Sequence, residues 1–202
     1  MNTLYKIAVL LCWMYARLVV SVTITGKENI PRNEGFLLIA NHLSYFDPFL
    51  IAYSINKTVH FLAMEELFRS KLSSFIMRQW HTIPVKRDSA DRTAIRESIK
   101  LLASGKIVGI FPQGGIDKDN TESEFQTGAA MLAIKSGKQI LPVCLAGTRH
   151  LYKPFSLKRR SLSISFRVPF TLEKPSDSDK KNARLNAIHL MHEKLHSDEG
   201  NK

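Results

Sequence analysis

The stretch NHLSYFDPF, residues 41–49, carries a histidine five positions ahead of an aspartate, with Asn41 before the first and Pro48 after the second. Histidine changes charge near neutral pH, so His42 has the chemistry of a general base. A base must hold one tautomer and one orientation. A carboxylate accepting from one ring nitrogen supplies both, and it stabilises the imidazolium that forms. In a straight helix five steps would set two side chains about 140° apart. With His42 in a loop and Asp47 at a helix start, the chain can fold back and let them meet. A plainer reading also fits the letters: Asp47 caps a helix that Pro48 opens, and His42 is an incidental loop residue. These residues alone leave both readings open.

Other reactive groups are scattered. HEKLH, residues 192–196, has the letters of a zinc-protease helix, and His189 shares its face. A zinc site of that kind needs a third ligand and a core-facing helix, and this segment runs into the polar terminus SDEGNK, so no metal is assigned. Cys12 and Cys144 sit among apolar neighbours and read as buried, inert thiols. Two cysteines make no disulfide framework, which points to a reducing compartment. The basic, aromatic-containing run YKPFSLKRR, residues 152–160, reads either as a solvated loop or as a contact for anionic lipid or an acidic acyl carrier.

The elements that must position these groups alternate. VVSVTITG reads as a strand and turn, FLLIA as a short strand buried on both faces, and a helix should run from Pro48 to about Ile55. VHFLAM (59–64) is a strand, residues 66–79 are helical, and TIPV (82–85) is a further strand. A helix capped by Ser89 or Asp91 and ended by Gly105 leads into KIVGIFPQGG, a buried strand that breaks into a glycine-rich turn. TGAAMLAIKSG is a helix, QILPVCLAG a strand, SLSISFRVPF a more exposed strand, and residues 179–196 a last amphipathic helix. This order predicts a single α/β domain with a mostly parallel central sheet flanked by helices, over residues 20–202. Sites in such sheets gather beyond the C-terminal ends of strands, where NHLSYFD and PQGG both fall.

Residues 1–19 form an N-terminal helix of a different kind. Lys6 and Arg17 interrupt its apolar run with only ten residues between them, short of the roughly 20 that span a bilayer. Lys6, Trp13 and Arg17 fall on one stripe, with Asn2 beside it and aliphatic residues around the remainder. That pattern predicts a helix lying in the membrane interface with Trp13 at headgroup depth. The alternative is a helix packed on its own domain. With 29 basic against 18 acidic residues, the net charge of +11 suits an anionic membrane surface, an acidic carrier or nucleic acid. No nucleic-acid reading motif accompanies it, so nucleic acid is not an expected partner.

Four segments in order, NHLSYFDPF, TIPVKRD, GIFPQGG and ILPVCLAG, resemble the glycerolipid acyltransferase family, which includes the 1-acylglycerol-3-phosphate acyltransferases. VTITGKENIP and EFQTGAAMLAIKSG extend the likeness over roughly residues 20 to 146. The resemblance implies that His42, held by Asp47, takes the proton of an acceptor hydroxyl, whose oxygen attacks the thioester of an acyl donor. It implies no acyl-enzyme, and no cofactor is expected beyond acyl-CoA or acyl carrier protein as donor co-substrate. It also implies that Arg87, helped by Lys86, holds the acceptor's phosphate. The expected location is the cytoplasmic face of a cell membrane, as a peripheral or monotopic protein.

The third motif departs from the family pattern F-P-E-G-T-R, standing here as Phe111, Pro112, Gln113, Gly114, Gly115 and Ile116. An acid has become an amide and an arginine has become apolar, while Gln126 stands where the family often has lysine. Phosphate recognition would then rest on Arg87, Lys86 and Lys118. The turn Gln113-Gly114-Gly115 would meet the acceptor, and an amide that both donates and accepts suits a hydroxyl-rich neutral group. Three readings follow: acyl transfer to 1-acylglycerol-3-phosphate, the same transfer to a non-phosphate lipid such as a glycolipid or other lysolipid, or a membrane lipid-binding protein without turnover.

Overall fold

The computed structural model of the chain describes residues 3–32, 34–86, 91–116, 126–152, 160–173 and 180–196. Arg87, Ser89, Lys118 and most of the 152–160 run lie outside the described residues.

The chain opens with α1 (Thr3–Val19), followed by β1 (Ser21–Thr25) and β2 (Leu37–Ala40). Then come α2 (Asp47–Ile55), β3 (Val59–Met64), α3 (Lys71–Gln79) and β4 (Ile83–Val85). The second half runs α4 (Arg92–Ala103), β5 (Ile107–Ile110), α5 (Thr127–Ser136), β6 (Ile140–Ala146), β7 (Ser161–Phe166) and α6 (Lys180–His196). One seven-stranded sheet takes the order β1-β7-β6-β2-β5-β3-β4. The five strands from β6 to β4 are mutually parallel; β7 pairs antiparallel with β6, and β1 runs with β7.

β2 lies at the centre and all four of its residues are buried. Its alternate side chains feed two cores, as a strand covered on both faces requires. Leu38 and Ala40 pack with Leu50 and Ile51 of α2 and Ala16 of α1. Leu37 and Ile39 pack with Ile95 of α4, Leu132 of α5 and Met191 of α6. Each enclosed Leu or Ile contributes about 1.5–3 kcal/mol. The connection from β2 passes through α2 to β3 on one side, while that from β5 passes through α5 to β6 on the other. Neighbouring strands whose connections diverge open a crevice at their C-terminal ends.

Three expectations need correction. The helix expected over 66–79 is broken: a 3-10 turn, Glu65–Phe68, precedes α3, and extended Ser70 caps the new helix by accepting from Ser73 N at 3.1 Å. The side-chain hydroxyl supplies a partner that a continuous helix would not need, so the chain restarts there. The stripe of Lys6, Trp13 and Arg17 divides. Lys6 and Arg17 are exposed, but Trp13 turns inward and stacks on Tyr53 with ring centroids 4.2 Å apart. Its large apolar face is better spent on α2 than at the helix border. The thiols are half-buried rather than enclosed. Cys12 sits beside the uncovered side of α1, where burial still pushes its pKa up.

Candidate active site

Asn41 sets where the loop after β2 begins. Its Nδ2 donates to Leu145 O at 2.8 Å and its Oδ1 accepts from Leu145 N at 2.7 Å. The side-chain amide thus continues the β2–β6 ladder by one step after the backbone has left it. His42 then turns out of the sheet. Its backbone N–H donates to Gln113 Oε1 at 3.0 Å, which ties the loop after β2 to the loop after β5.

His42 Nδ1 lies 3.0 Å from Asp47 Oδ2. The same oxygen accepts from Leu43 N and Ser44 N, each at 2.7 Å. Asp47 is fully buried, and its Oδ1 has no hydrogen-bond partner among the described residues. Three donors on one oxygen hold the carboxylate in one orientation. The carboxylate faces back along the loop rather than onto α2, whose N-cap position is taken by Phe46 with no side-chain cap. With Nδ1–H directed to Asp47, Nε2 carries the imidazole lone pair. That nitrogen is the one available to a substrate.

Aromatic rings complete the setting. Phe111 stacks on the His42 ring with centroids 3.9 Å apart and planes 15° from parallel. Tyr152 caps the loop from the β6 side, its hydroxyl accepting from Tyr45 N at 2.8 Å.

A cavity of about 670 Å³ opens beside His42. Tyr5, Phe49, Phe61, Met77, Trp80 and Ile116 are among the apolar side chains that line it. Gln113, Gly114 and Gly115 sit on its wall with Lys86, the cation there among the described residues. Gly114 has φ 74, a left-handed turn position that glycine takes without strain, and its N–H returns to Phe111 O at 3.0 Å. The exposed Lys86 owes its placement to its backbone N–H, which donates to Asp91 Oδ2 at 3.1 Å; Asp91 also caps α4. The wall is thus an apolar surface with few polar groups, converging on the His42 ring and the buried carboxylate behind it.

The structure therefore brings His42, Asp47, Gln113, Gly114, Gly115 and Lys86 to one crevice. Gln113 holds the His42 backbone as well as facing the cavity. The roles of Asn41, Phe111 and Tyr152 were not read from the sequence, since each depends on a strand or loop far along the chain. His189, His192 and His196 are on α6, away from this crevice. His196 Nδ1 lies 2.9 Å from His192 O, a bond within the helix.

Comparison with known proteins places this geometry. A 1-acyl-sn-glycerol-3-phosphate acyltransferase of Borreliella burgdorferi is 28% identical over 167 residues, covering 81% of this chain and 67% of the relative. One of Bacillus subtilis is 29% identical over 141 residues, covering 68% and 70%. The crystal structure of the 1-acyl-sn-glycerophosphate (LPA) acyltransferase PlsC from Thermotoga maritima superposes with a TM-score of 0.69 at 25% identity, over 98% of this chain and 82% of that one. The sequence model of the acyltransferase family matches residues 21–146, the span from β1 through β6 that holds His42, Asp47 and most of the cavity lining. On that match the chain belongs to the acyltransferase family.

Proposed function

We propose that this acyltransferase moves a fatty acyl group from acyl-CoA or acyl carrier protein to the free hydroxyl of 1-acylglycerol-3-phosphate. The observation that carries the proposal is the pairing of partly exposed His42 with buried Asp47 at the mouth of an apolar cavity. His42 Nε2 takes the hydroxyl proton as the acceptor oxygen attacks the thioester carbonyl, and Asp47 stabilises the imidazolium. When the tetrahedral adduct collapses, the C–S bond breaks and the departing sulfur takes the proton from His42. The chain needs no acyl-enzyme for this sequence, so neither thiol has a role. Lys86 and Arg87 are assigned to the acceptor's phosphate.

A second reading, transfer to a non-phosphate lipid, is favoured by one observation: apolar Ile116 lines the cavity where the family pattern has arginine.

The reaction is assigned to a membrane surface, at the cytoplasmic face. Leu4, Ile7, Leu10, Leu11, Met14 and Leu18 of α1 are exposed on the side turned from the domain, with exposed Lys6 and Arg17 beside them. Among the described residues no helix is long and apolar enough to cross a membrane. An apolar face with basic flanks suits a helix lying in the interface of anionic lipid.

The test is a product assay by mass spectrometry. Wild-type and His42→Ala protein are given long-chain acyl-CoA or acyl carrier protein with 1-acylglycerol-3-phosphate, other lysolipids and glycolipids in anionic vesicles. Phosphatidate formed by the wild type and lost in His42→Ala supports the first reading. Better turnover of a non-phosphate acceptor selects the second, and thioester consumption unaffected by His42→Ala overturns both.

A further inference from the structure

We infer that Phe61 and Gly109, on two neighbouring strands behind the loop, set the plane of the His42 ring. The inference rests on His42 being the base.

Phe61 of β3 and Gly109 of β5 are register partners across a parallel pair. A Cβ at Gly109 would stand 2.5 Å from both Cδ1 and Cε1 of Phe61 and 2.9 Å from Cγ1 of Val59. Real side-chain carbons do not approach so closely, so the glycine is what lets the Phe61 ring lie flat across β5. Two residues after Gly109, just past the end of β5, Phe111 packs on the same side of the sheet as Phe61. The Phe61 ring is parallel to it within 9°, with centroids 5.3 Å apart. Phe111 in turn lies against His42 at 3.9 Å. The result is a stack from the sheet to the base: glycine floor, Phe61, Phe111, imidazole.

The stack acts on the base in two ways. Asp47 fixes where Nδ1 sits but leaves the ring free to swing about that bond; a flat aromatic neighbour removes the swing and keeps Nε2 aimed at the cavity. Once His42 carries the proton, the π face of Phe111 attracts the cation. Phe61 is nearly enclosed and braces Phe111 from behind, so it is a positioning residue that acts through Phe111. Phe61 also lines the cavity, and the test must separate that from positioning.

The experiment is a double-mutant cycle on full-length protein in vesicles, with kcat and KM measured for a long-chain and a short-chain acyl-CoA. Phe61→Leu and Gly109→Ala should each lower kcat about tenfold for both donors, leaving KM within about twofold and the protein folded. In the Phe61→Leu background Gly109→Ala should add little to the loss of kcat, because of the two side chains an added Cβ meets, the Phe61 ring is the nearer and the one that stacks on Phe111. Phe61→Tyr, which keeps the stack, should retain wild-type kcat. The proposal is overturned if Phe61→Leu turns over like the wild type, if Phe61→Tyr loses as much as Phe61→Leu, or if the two losses add in full. It is also overturned if the change appears only in the KM of the long-chain donor, which would make Phe61 a cavity wall. Should Gly109→Ala fail to fold, the Leu and Tyr variants at position 61 decide alone. His42→Ala run in parallel keeps the two readings apart: if it is inactive while Phe61→Leu is normal, only the positioning role falls, and if it is active both fall.

Discussion

Asp47→Asn separates the charge of the carboxylate from its shape. Asp47 Oδ2 accepts from His42 Nδ1, Leu43 N and Ser44 N, while Oδ1 has no partner among the described residues. An asparagine can place its carbonyl oxygen where Oδ2 stands and keep all three bonds, with its amide nitrogen at the Oδ1 position. The fold then loses charge assistance and gains one buried donor to satisfy, a cost of about 1–3 kcal/mol that lowers the melting temperature by several degrees without unfolding the domain. The imidazolium loses more. A unit charge about 4 Å away at an effective dielectric of about 20 is worth about 4 kcal/mol, close to three orders of magnitude in rate. The expected outcome is a folded protein with kcat down about 10³-fold, KM little changed, and His42→Ala at least as severe. Because the two residues act as a unit, the double variant should be no slower than the worse single one. The assay is steady-state thioester release, read beside circular dichroism and thermal melting. Turnover within tenfold of wild type in folded Asp47→Asn would refute the argument, as would fully additive losses in the double variant.

Asn41→Ala removes both bonds to Leu145 and leaves a buried N–H and C=O unpaired; it should cost about 2–4 kcal/mol in a denaturant titration, more than its small surface suggests. Replacing Leu11 and Leu18 of α1 by aspartate, both exposed, should leave melting unchanged while flotation with anionic vesicles falls, and salt should weaken binding of the wild type. Burial, with Lys106 adding, pushes the His60 and His81 pKa values below the ordinary value, so both stay neutral in the folded chain after the unfolded chain has taken protons. The stability this provides is complete above about pH 6.5 and is lost as pH falls, so the melting temperature should drop toward pH 5, and less so in His60→Gln with His81→Gln. Gln113→Glu keeps an acceptor for His42 N; combined with Ile116→Arg it should raise selectivity for 1-acylglycerol-3-phosphate over a neutral lysolipid about tenfold in a competition assay.

Local pattern made much of this molecule legible. A continuous apolar run such as FLLIA has one comfortable home, between two layers, and β2 is found there. The five-residue offset of His42 and Asp47 is also local, since the loop that joins them closes on itself. What could not be read is set by packing between distant segments. That β7 enters between β1 and β6 depends on pairing across the whole chain. Trp13 looked like an anchor because periodicity places a residue on a helix face without saying what covers that face. Gln113 lines the cavity, as its place in the glycine-rich turn suggests, but nothing near it in sequence reveals that His42 N is its partner.

The loop after β2 has a consequence beyond this chain. One carboxylate oxygen closes a ring over residues 42–44, so the imidazole, its carboxylate partner and the bonds between them are contained in NHLSYFD. Such a segment carries its own wiring. It asks of a host a strand end with a longer parallel neighbour to receive the Asn41 amide, a helix that starts at the aspartate, and on the adjoining loop an acceptor for His42 N and a flat ring against the imidazole. The His–Asp unit is therefore portable as one short insertion, and a doubly wound sheet with that junction is a fitting recipient for transplanting it.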